Sequence, residues 1–328
     1  MPNSKVFVTR AIPADGLALL NGQSEVEVDV WPDMLPPTYD ELTQRARDCA
    51  GLITLVTDKI DAALLAAAPN LRVVSQMAVG YDNIDVAAAT ARRLPVGNTP
   101  GVLTDATADF AWALLMAAAR RVVEGDRFVR AGHWKTWHPT LLVGLEVHGA
   151  SLGLIGFGRI GQAVARRARG FDMRVRYYNG TGPKPEAEAE TGATYAPLDT
   201  LLAESDFISL HVPLTPATRH IINATALAKM KRGAILVNTA RGGVVDQVAL
   251  HGALTSGRLA AAGLDVTDPE PLPMNSPLLQ LENVVIAPHI ASGSLQARTR
   301  MAMMAAENML AGLRGDRLPY CVNPEIYG

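Results

Sequence analysis

Short apolar runs alternate with helix-period segments from the start of the chain. Residues 5–9, 26–29, 51–54, 71–76 and 94–97 predict strands; Pro95 removes a ladder donor and marks the last as an edge strand. Residues 14–20, 38–48, 61–67 and 86–92 predict the helices between them. Asn98-Thr99-Pro100-Gly101 breaks the pattern and places a first domain boundary there. Thr104 or Asp105 then caps a helix running to Arg120, almost all small or apolar. A helix apolar on nearly every side is buried on nearly every side, which predicts a place between two domains or in a subunit interface. Residues 121–149 predict a polar, irregular arm carrying Trp134 and Trp137. An exposed partner surface and a small satellite core under a long loop both suit those tryptophans.

A second alternating set follows. Residues 152–155, 174–178, 207–210, 234–238, 261–265 and 284–287 predict strands, with helices between them at, for example, 162–169, 226–230 and 245–256. Six strands in this order suit two mononucleotide-binding halves. Residues 294–312 predict a last helix, whose Met301, Met303, Met304 and Met309 read as core packing rather than a cofactor contact. That helix is expected to return to the first domain, so the second domain is an insertion. The fold class is α/β, with two doubly wound parallel-sheet domains.

Length and composition narrow this little. The 328 residues suffice for two domains, and 48% hydrophobic with 19% charged residues suits globular cores. A formal net charge of −2 gives no reason to expect nucleic acid or an anionic membrane as a partner. Cys49 and Cys321 match no metal spacing and no disulfide framework, so a reducing compartment is expected and no metal. The first residues lack a signal-peptide pattern, and the most apolar later stretch, 110–119, is too short to span a bilayer. A soluble, cytoplasmic protein is the expectation.

The candidate chemistry starts at Gly156-Phe157-Gly158-Arg159-Ile160-Gly161, which follows a predicted strand and opens a predicted helix. In that context Gly156 permits a tight turn, Gly158 lets the backbone approach a pyrophosphate, and Gly161 lets helix and strand pack closely. The plain alternative is a structural glycine turn. Three further residues follow predicted strand ends on the same sheet edge: Arg241, Glu270 and His289. Each alone reads equally well as a surface charge, a loop carboxylate or a satisfied histidine. Together they form a known kind of reaction centre. A guanidinium holds a carboxylate or carbonyl in a fork, a histidine protonates a developing alkoxide, and a carboxylate orients that histidine. His211 follows another strand end and is expected to line the coenzyme cleft.

These residues resemble the D-isomer-specific 2-hydroxyacid dehydrogenase family along essentially the whole chain. The carrying motifs are Gly80-Tyr-Asp-Asn-Ile-Asp85, the fingerprint at 156–161, His211-Val-Pro-Leu214, Asn238-Thr-Ala-Arg-Gly242, Gly263-Leu-Asp-Val266, Glu270-Pro271 and Pro288-His289. Residues 98–112 and 127–134 look most like the glyoxylate/hydroxypyruvate reductases within it. The resemblance implies a Rossmann coenzyme domain, 99–290, inserted into a flavodoxin-like substrate domain, 1–98 with 291–328. It also implies a homodimer built on a helix and arm at 101–149. By it, Arg241 is the substrate-binding catalytic arginine, Glu270 the partner acid and His289 the proton donor. It gives the substrate to Leu55, Met77, Val79, Gly80, Arg241 and His289, with the Val79 and Gly80 amides on its carboxylate and Trp137 reaching the other subunit's active site. It gives the coenzyme to Thr107, the fingerprint residues, Asn179, Gly180, Thr181, Lys184, His211, Val212, Pro213, Thr239, Ala240 and Asp265.

An acidic residue about 20 positions past the fingerprint suits NAD(H), because it binds the ribose hydroxyls. Here Asn179 takes that place, while Thr181 and Lys184 are available to a 2′-phosphate and Gly180 replaces the arginine of similar NADP-using reductases. The expectation leans to NADP(H), with NAD(H) left open. The reading is therefore reduction of glyoxylate or hydroxypyruvate to glycolate or D-glycerate. The alternatives are a D-lactate or D-glycerate dehydrogenase, or a dinucleotide-sensing scaffold or corepressor.

Overall fold

The computed structural model describes residues 4–328. They divide into two compact units: one runs to Leu103 and resumes over Gly293–Gly328, and the other is Thr104–Ser292. In the first unit, β1 (Ser4–Val8), β2 (Val26–Val30), β3 (Gly51–Thr54), β4 (Val73–Gln76) and β5 (Val96–Gly97) form a parallel sheet in the order β2-β1-β3-β4-β5. β5 is the edge strand that Pro95 predicts. Side-chain oxygens start the helices: Thr38 and Glu41 make a reciprocal capping box at Tyr39–Ala46, and Asp61, Asp85 and Ser294 cap Ala62–Ala67, Val86–Ala91 and Leu295–Arg314. Leu295–Arg314 lies on this unit's sheet, where Met301, Met304 and Met309 join Val8, Ile53 and Val73 in one core cluster. Gly51 and Gly312 permit that approach, since an added Cβ would meet Met309 Sδ and Val73 Cγ2 at 2.2 and 2.6 Å.

The second unit holds seven parallel strands: β6 (Ser151–Ile155), β7 (Arg174–Tyr178), β8 (Thr194–Tyr195), β9 (Phe207–Leu210), β10 (Ala234–Asn238), β11 (Leu259–Leu264) and β12 (Val284–Ile286). Their order is β12-β11-β10-β9-β6-β7-β8, so the chain reverses direction across the sheet between β6 and β9. The sequence predicts six strands; β8, two residues long, carries too little periodicity to be read. Ligands of such sheets bind beyond the carboxyl ends of the strands at the reversal.

Several expectations need correction. The unit junctions fall after Leu103 and Ser292, where the sequence places them at 98/99 and 290/291. Thr99 N–H donates to Ala78 O, and Val102 and Leu103 pack on the first unit's core, which keeps 99–103 with that unit. The apolar helix, Thr104–Ala119, covers the second unit's own sheet with one face. Leu114 sits over Gly263 of β11, where a Cβ would approach Leu114 Cβ to 3.0 Å, and Trp112 Nε1–H donates to Val164 O at 3.2 Å. The arm is not irregular throughout, because Val122–Arg130 is a helix with no buried residue. Trp134 and Trp137 are 59% and 77% exposed, which rules out a satellite core beneath them.

Candidate active site

β6 runs into Gly156, and the helix Arg159–Ala168 begins after Gly158. Gly156 has φ +98°, and a Cβ there would lie 2.6 Å from the His211 backbone; one on Gly161 would lie 2.3 Å from Gly156 O. Both glycines are therefore required by the fold itself. Gly158 differs, because a Cβ would meet nothing within 4 Å. Space is open over it, and no side chain caps the helix that follows. Free N–H groups at the positive end of a helix dipole suit a pyrophosphate. Phe157 offers only its main chain: its ring is buried and stacked on Tyr177 with centroids 3.8 Å apart.

At the neighbouring strand ends two polar atoms are shut off from solvent without a partner: His211 Nε2 after β9 and Thr239 Oγ1 after β10. Orphans of this kind at a strand edge are what a bound ligand satisfies. Burial drives His211 down to about 3, so its imidazole is neutral near pH 7 and not a proton source. Thr107 is buried on Thr104–Ala119, and Ala240 is buried after β10, whereas Ile160 and Val212 are half-buried and Pro213 exposed. Beyond β7, Asn179 Nδ2 donates to Thr181 Oγ1 at 2.5 Å and to Gly182 O at 3.3 Å, with Gly180 in the same exposed turn. Lys184 reaches back to the fingerprint, its Nζ 3.1 Å from Phe157 O, and its N–H donates to the Tyr177 hydroxyl at 2.6 Å. Arg159 is exposed at the helix start. These residues fit a dinucleotide.

The reacting side chains stand on three loops, beyond β10, β11 and β12. Asn238 pins the first: its Nδ2 donates to Arg241 O at 2.9 Å, and its Oδ1 accepts from Ala240 N–H at 3.0 Å. The next residue, Gly242, lies flat against the second loop, where a Cβ would fall 1.9 Å from Thr267 O. That second loop carries Glu270. His289 follows β12 in the left-handed region, φ +54°, which is costly for a side chain with a Cβ. Asp265 holds the turn in place. Its carbonyl accepts from His289 N–H at 2.8 Å, and its carboxylate accepts from Ile290 N–H at 2.8 Å and Ala291 N–H at 2.7 Å. Burial pushes the Asp265 carboxyl up, and the two amides oppose that. The result of this scaffolding is one contact: His289 Nδ1 lies 2.6 Å from Glu270 Oε1. A cavity of about 440 Å³ adjoins the pair, with Asp265, Thr267, Leu272 and Ile286 among its walls.

In the first unit, Leu55 follows β3 and is half-buried, while Met77 is buried in the core. Val79 and Gly80 follow β4 and are half-buried, and among the described residues their N–H groups have no hydrogen-bond partner. Trp137 lies exposed on the arm. The bracing of His289 by Asp265 escapes sequence reasoning. Its only signal is an aspartate at a strand end, and its partners lie 25 and 26 residues away.

Residues 112–291 match the family model described as "D-isomer specific 2-hydroxyacid dehydrogenase, NAD binding domain". A glyoxylate reductase of Korarchaeum cryptofilum is 56% identical over 98% of this chain and 96% of its own. The chain belongs to the D-isomer-specific 2-hydroxyacid dehydrogenases. It is an oxidoreductase of that family, and its coenzyme is a nicotinamide dinucleotide. A Thermus thermophilus structure superposes with TM-score 0.91 at 50% identity, covering 97% of this chain and 99% of that one. An NADPH-dependent glyoxylate/hydroxypyruvate reductase of Sinorhizobium meliloti does so with TM-score 0.83 at 31% identity, covering 98% of both chains. Among the described residues no helix is long and apolar enough to cross a membrane, and no group of histidines, cysteines and carboxylates is placed to hold a metal.

Proposed function

We propose that this dehydrogenase reduces a small 2-oxo acid, glyoxylate or hydroxypyruvate, to glycolate or D-glycerate, with His289 as the proton donor. The 2.6 Å contact between His289 Nδ1 and Glu270 carries the reading. It fixes the ring and leaves Nε2 to face substrate, where the histidine serves as general acid. The bound dihydronicotinamide supplies the hydride to the carbonyl carbon. As that bond forms, the carbonyl π pair moves to oxygen and takes the proton from Nε2. His289 is left neutral, and Glu270 keeps its orientation. Arg241 holds the 2-oxo acid from one side, its guanidinium polarising the carbonyl as negative charge builds on oxygen. The substrate carboxylate falls to the free amides of Val79 and Gly80, with Leu55 and Met77 beside it.

Coenzyme preference is assigned to NADPH. Asn179 presents no carboxylate to repel a 2′-phosphate, and Lys184 brings a cation to the fingerprint. Two copies of the chain are proposed to pair through the arm, where Val122, Val129, Trp134, Trp137 and Val143 are all more than half exposed. Trp137 then belongs to the partner's substrate pocket. With both cysteines unpaired, the reading places the enzyme in the cytoplasm. Initial rates with glyoxylate, comparing NADPH and NADH at equal concentration, test the assignment. Faster turnover with NADPH supports it, and preference for NADH overturns the coenzyme part. No turnover with either coenzyme and either acid overturns the whole.

A further inference from the structure

Behind the Val79–Gly80 turn lies a buried polar side chain with no part in the reaction as described. Gln76, the last residue of β4, is fully buried, and each of its amide groups is engaged. Oε1 accepts from Thr54 Oγ1 at 2.6 Å, while Nε2 donates to Asn83 Oδ1 at 2.8 Å and to Gly80 O at 3.3 Å. The amide orientation is determined, because a main-chain carbonyl can only accept. Asn83 is locked in turn: its Nδ2 donates to Leu55 O at 3.0 Å and Asp58 O at 2.7 Å, leaving Oδ1 to meet Gln76. On the other side, Asn98 Nδ2 donates to Val79 O at 2.9 Å. Asp58, also buried, accepts from Thr9 Oγ1 and Leu55 N–H at 2.5 and 2.8 Å. One network therefore ties the carboxyl ends of β1, β3 and β4 together.

Its effect is asymmetric. The carbonyls of Val79 and Gly80 are both held from behind, whereas their N–H groups donate to nothing among the described residues. Peptide planes are rigid, so fixing a carbonyl fixes the direction of the N–H on the next residue. Holding Val79 O thus aims Gly80 N–H, and holding Gly80 O pins the far side of the same turn. A buried amide held by three hydrogen bonds is costly to assemble and sensitive to loss of any member. An apolar side chain would fill the site with less demanding geometry.

We propose that Gln76 is a positioning residue for the substrate carboxylate, holding the Val79–Gly80 turn so that its amides converge on that anion. The proposal rests on the reading that these amides take the carboxylate. It predicts an effect on substrate affinity and not on coenzyme or hydride transfer, since Gln76 touches neither.

The test compares Gln76→Met, Thr54→Val and Gly80→Pro, with glyoxylate KM, kcat, coenzyme Kd and Tm as readouts. Gln76→Met keeps the side-chain length and deletes the hydrogen bond to Gly80 O together with those to Asn83 and Thr54. Its KM should rise ~10-fold or more while kcat stays within about threefold and coenzyme Kd is unchanged. Thr54→Val, which only frees the Gln76 amide to rotate, should raise KM in the same direction by about threefold. It decides the matter if Gln76→Met does not fold. Gly80→Pro deletes the N–H itself and tests the underlying reading. An unchanged KM there overturns the carboxylate assignment, and Gln76 with it. A raised KM for Gly80→Pro with unchanged KM for the other two overturns Gln76 alone. Parallel losses in KM, kcat and coenzyme Kd would mean a general structural role and would also overturn it.

Discussion

Replacing Glu270 by glutamine keeps the shape of the side chain beside His289 and removes its charge. The wild-type contact is 2.6 Å, short for a nitrogen–oxygen hydrogen bond, and a bond to a charged group contributes roughly 1.5–3 kcal/mol. The two side chains are 27% and 35% exposed, so solvent screens the pair and the lower end applies, about 1.5–2 kcal/mol. At 1.4 kcal/mol per decade, Glu270→Gln should reduce kcat/KM by roughly 10–30-fold, because the amide holds the ring that gives its proton to substrate less firmly than the carboxylate does. The assay is the initial rate of NADPH loss with glyoxylate at pH 7, alongside coenzyme Kd from fluorescence quenching. Coenzyme Kd should not move. In the double variant with His289→Ala, the glutamine change should cost almost nothing further, since two residues acting as a unit are not additive. A Glu270→Gln rate within twofold of wild type would refute the reasoning. So would a full additional loss in the double variant.

Other outcomes follow from the same geometry. Gly158→Ala should leave Tm unchanged, because its Cβ meets nothing in the free protein, yet weaken coenzyme Kd by ~10-fold or more by entering the pyrophosphate space; Gly156→Ala should lower Tm directly, with φ +98° and a 2.6 Å clash. His211 is held at about 3 against an ordinary 6.5, so the folded state binds fewer protons than the unfolded one between those values and stability is lost as pH falls through that window. Urea unfolding should show about 2 kcal/mol of this loss between pH 6.5 and pH 5, absent from His211→Asn. Lys184→Ala should raise KM for NADPH by ~10-fold and leave KM for NADH unchanged, as initial rates with each coenzyme would show.

Much of the fold is legible in the sequence for a definite reason. β3, β9 and β10 stand where their residues predict, since strands buried in parallel sheets are short, nearly continuous apolar runs bounded by breakers, and β7 is found by its alternation of buried and less buried positions. What resists reading lacks that burial signal. β8 has two residues, Val122–Arg130 buries none of its own, and Pro185–Thr191 carries Glu186, Glu188 and Glu190, with only Ala187 and Thr191 inside. The candidate site divides along the same line. Strand-end positions bring Arg241, Glu270 and His289 to notice one by one, and the glycine spacing marks the helix start. The bracing does not show, because it is made by contacts across long sequence gaps. Asp265 reaches the amides of Ile290 and Ala291, and Gln76 joins Thr54 to Gly80. Phe157 shows the converse, a fingerprint residue whose ring is spent on the core.

The most direct test of the account is the rate of NADPH oxidation with glyoxylate by the wild-type chain and by His289→Ala, measured side by side with coenzyme binding to both. The account predicts turnover by the wild type, a fall of ~10²–10⁴ in the variant, and equal coenzyme affinity. Equal rates for the two proteins would contradict it.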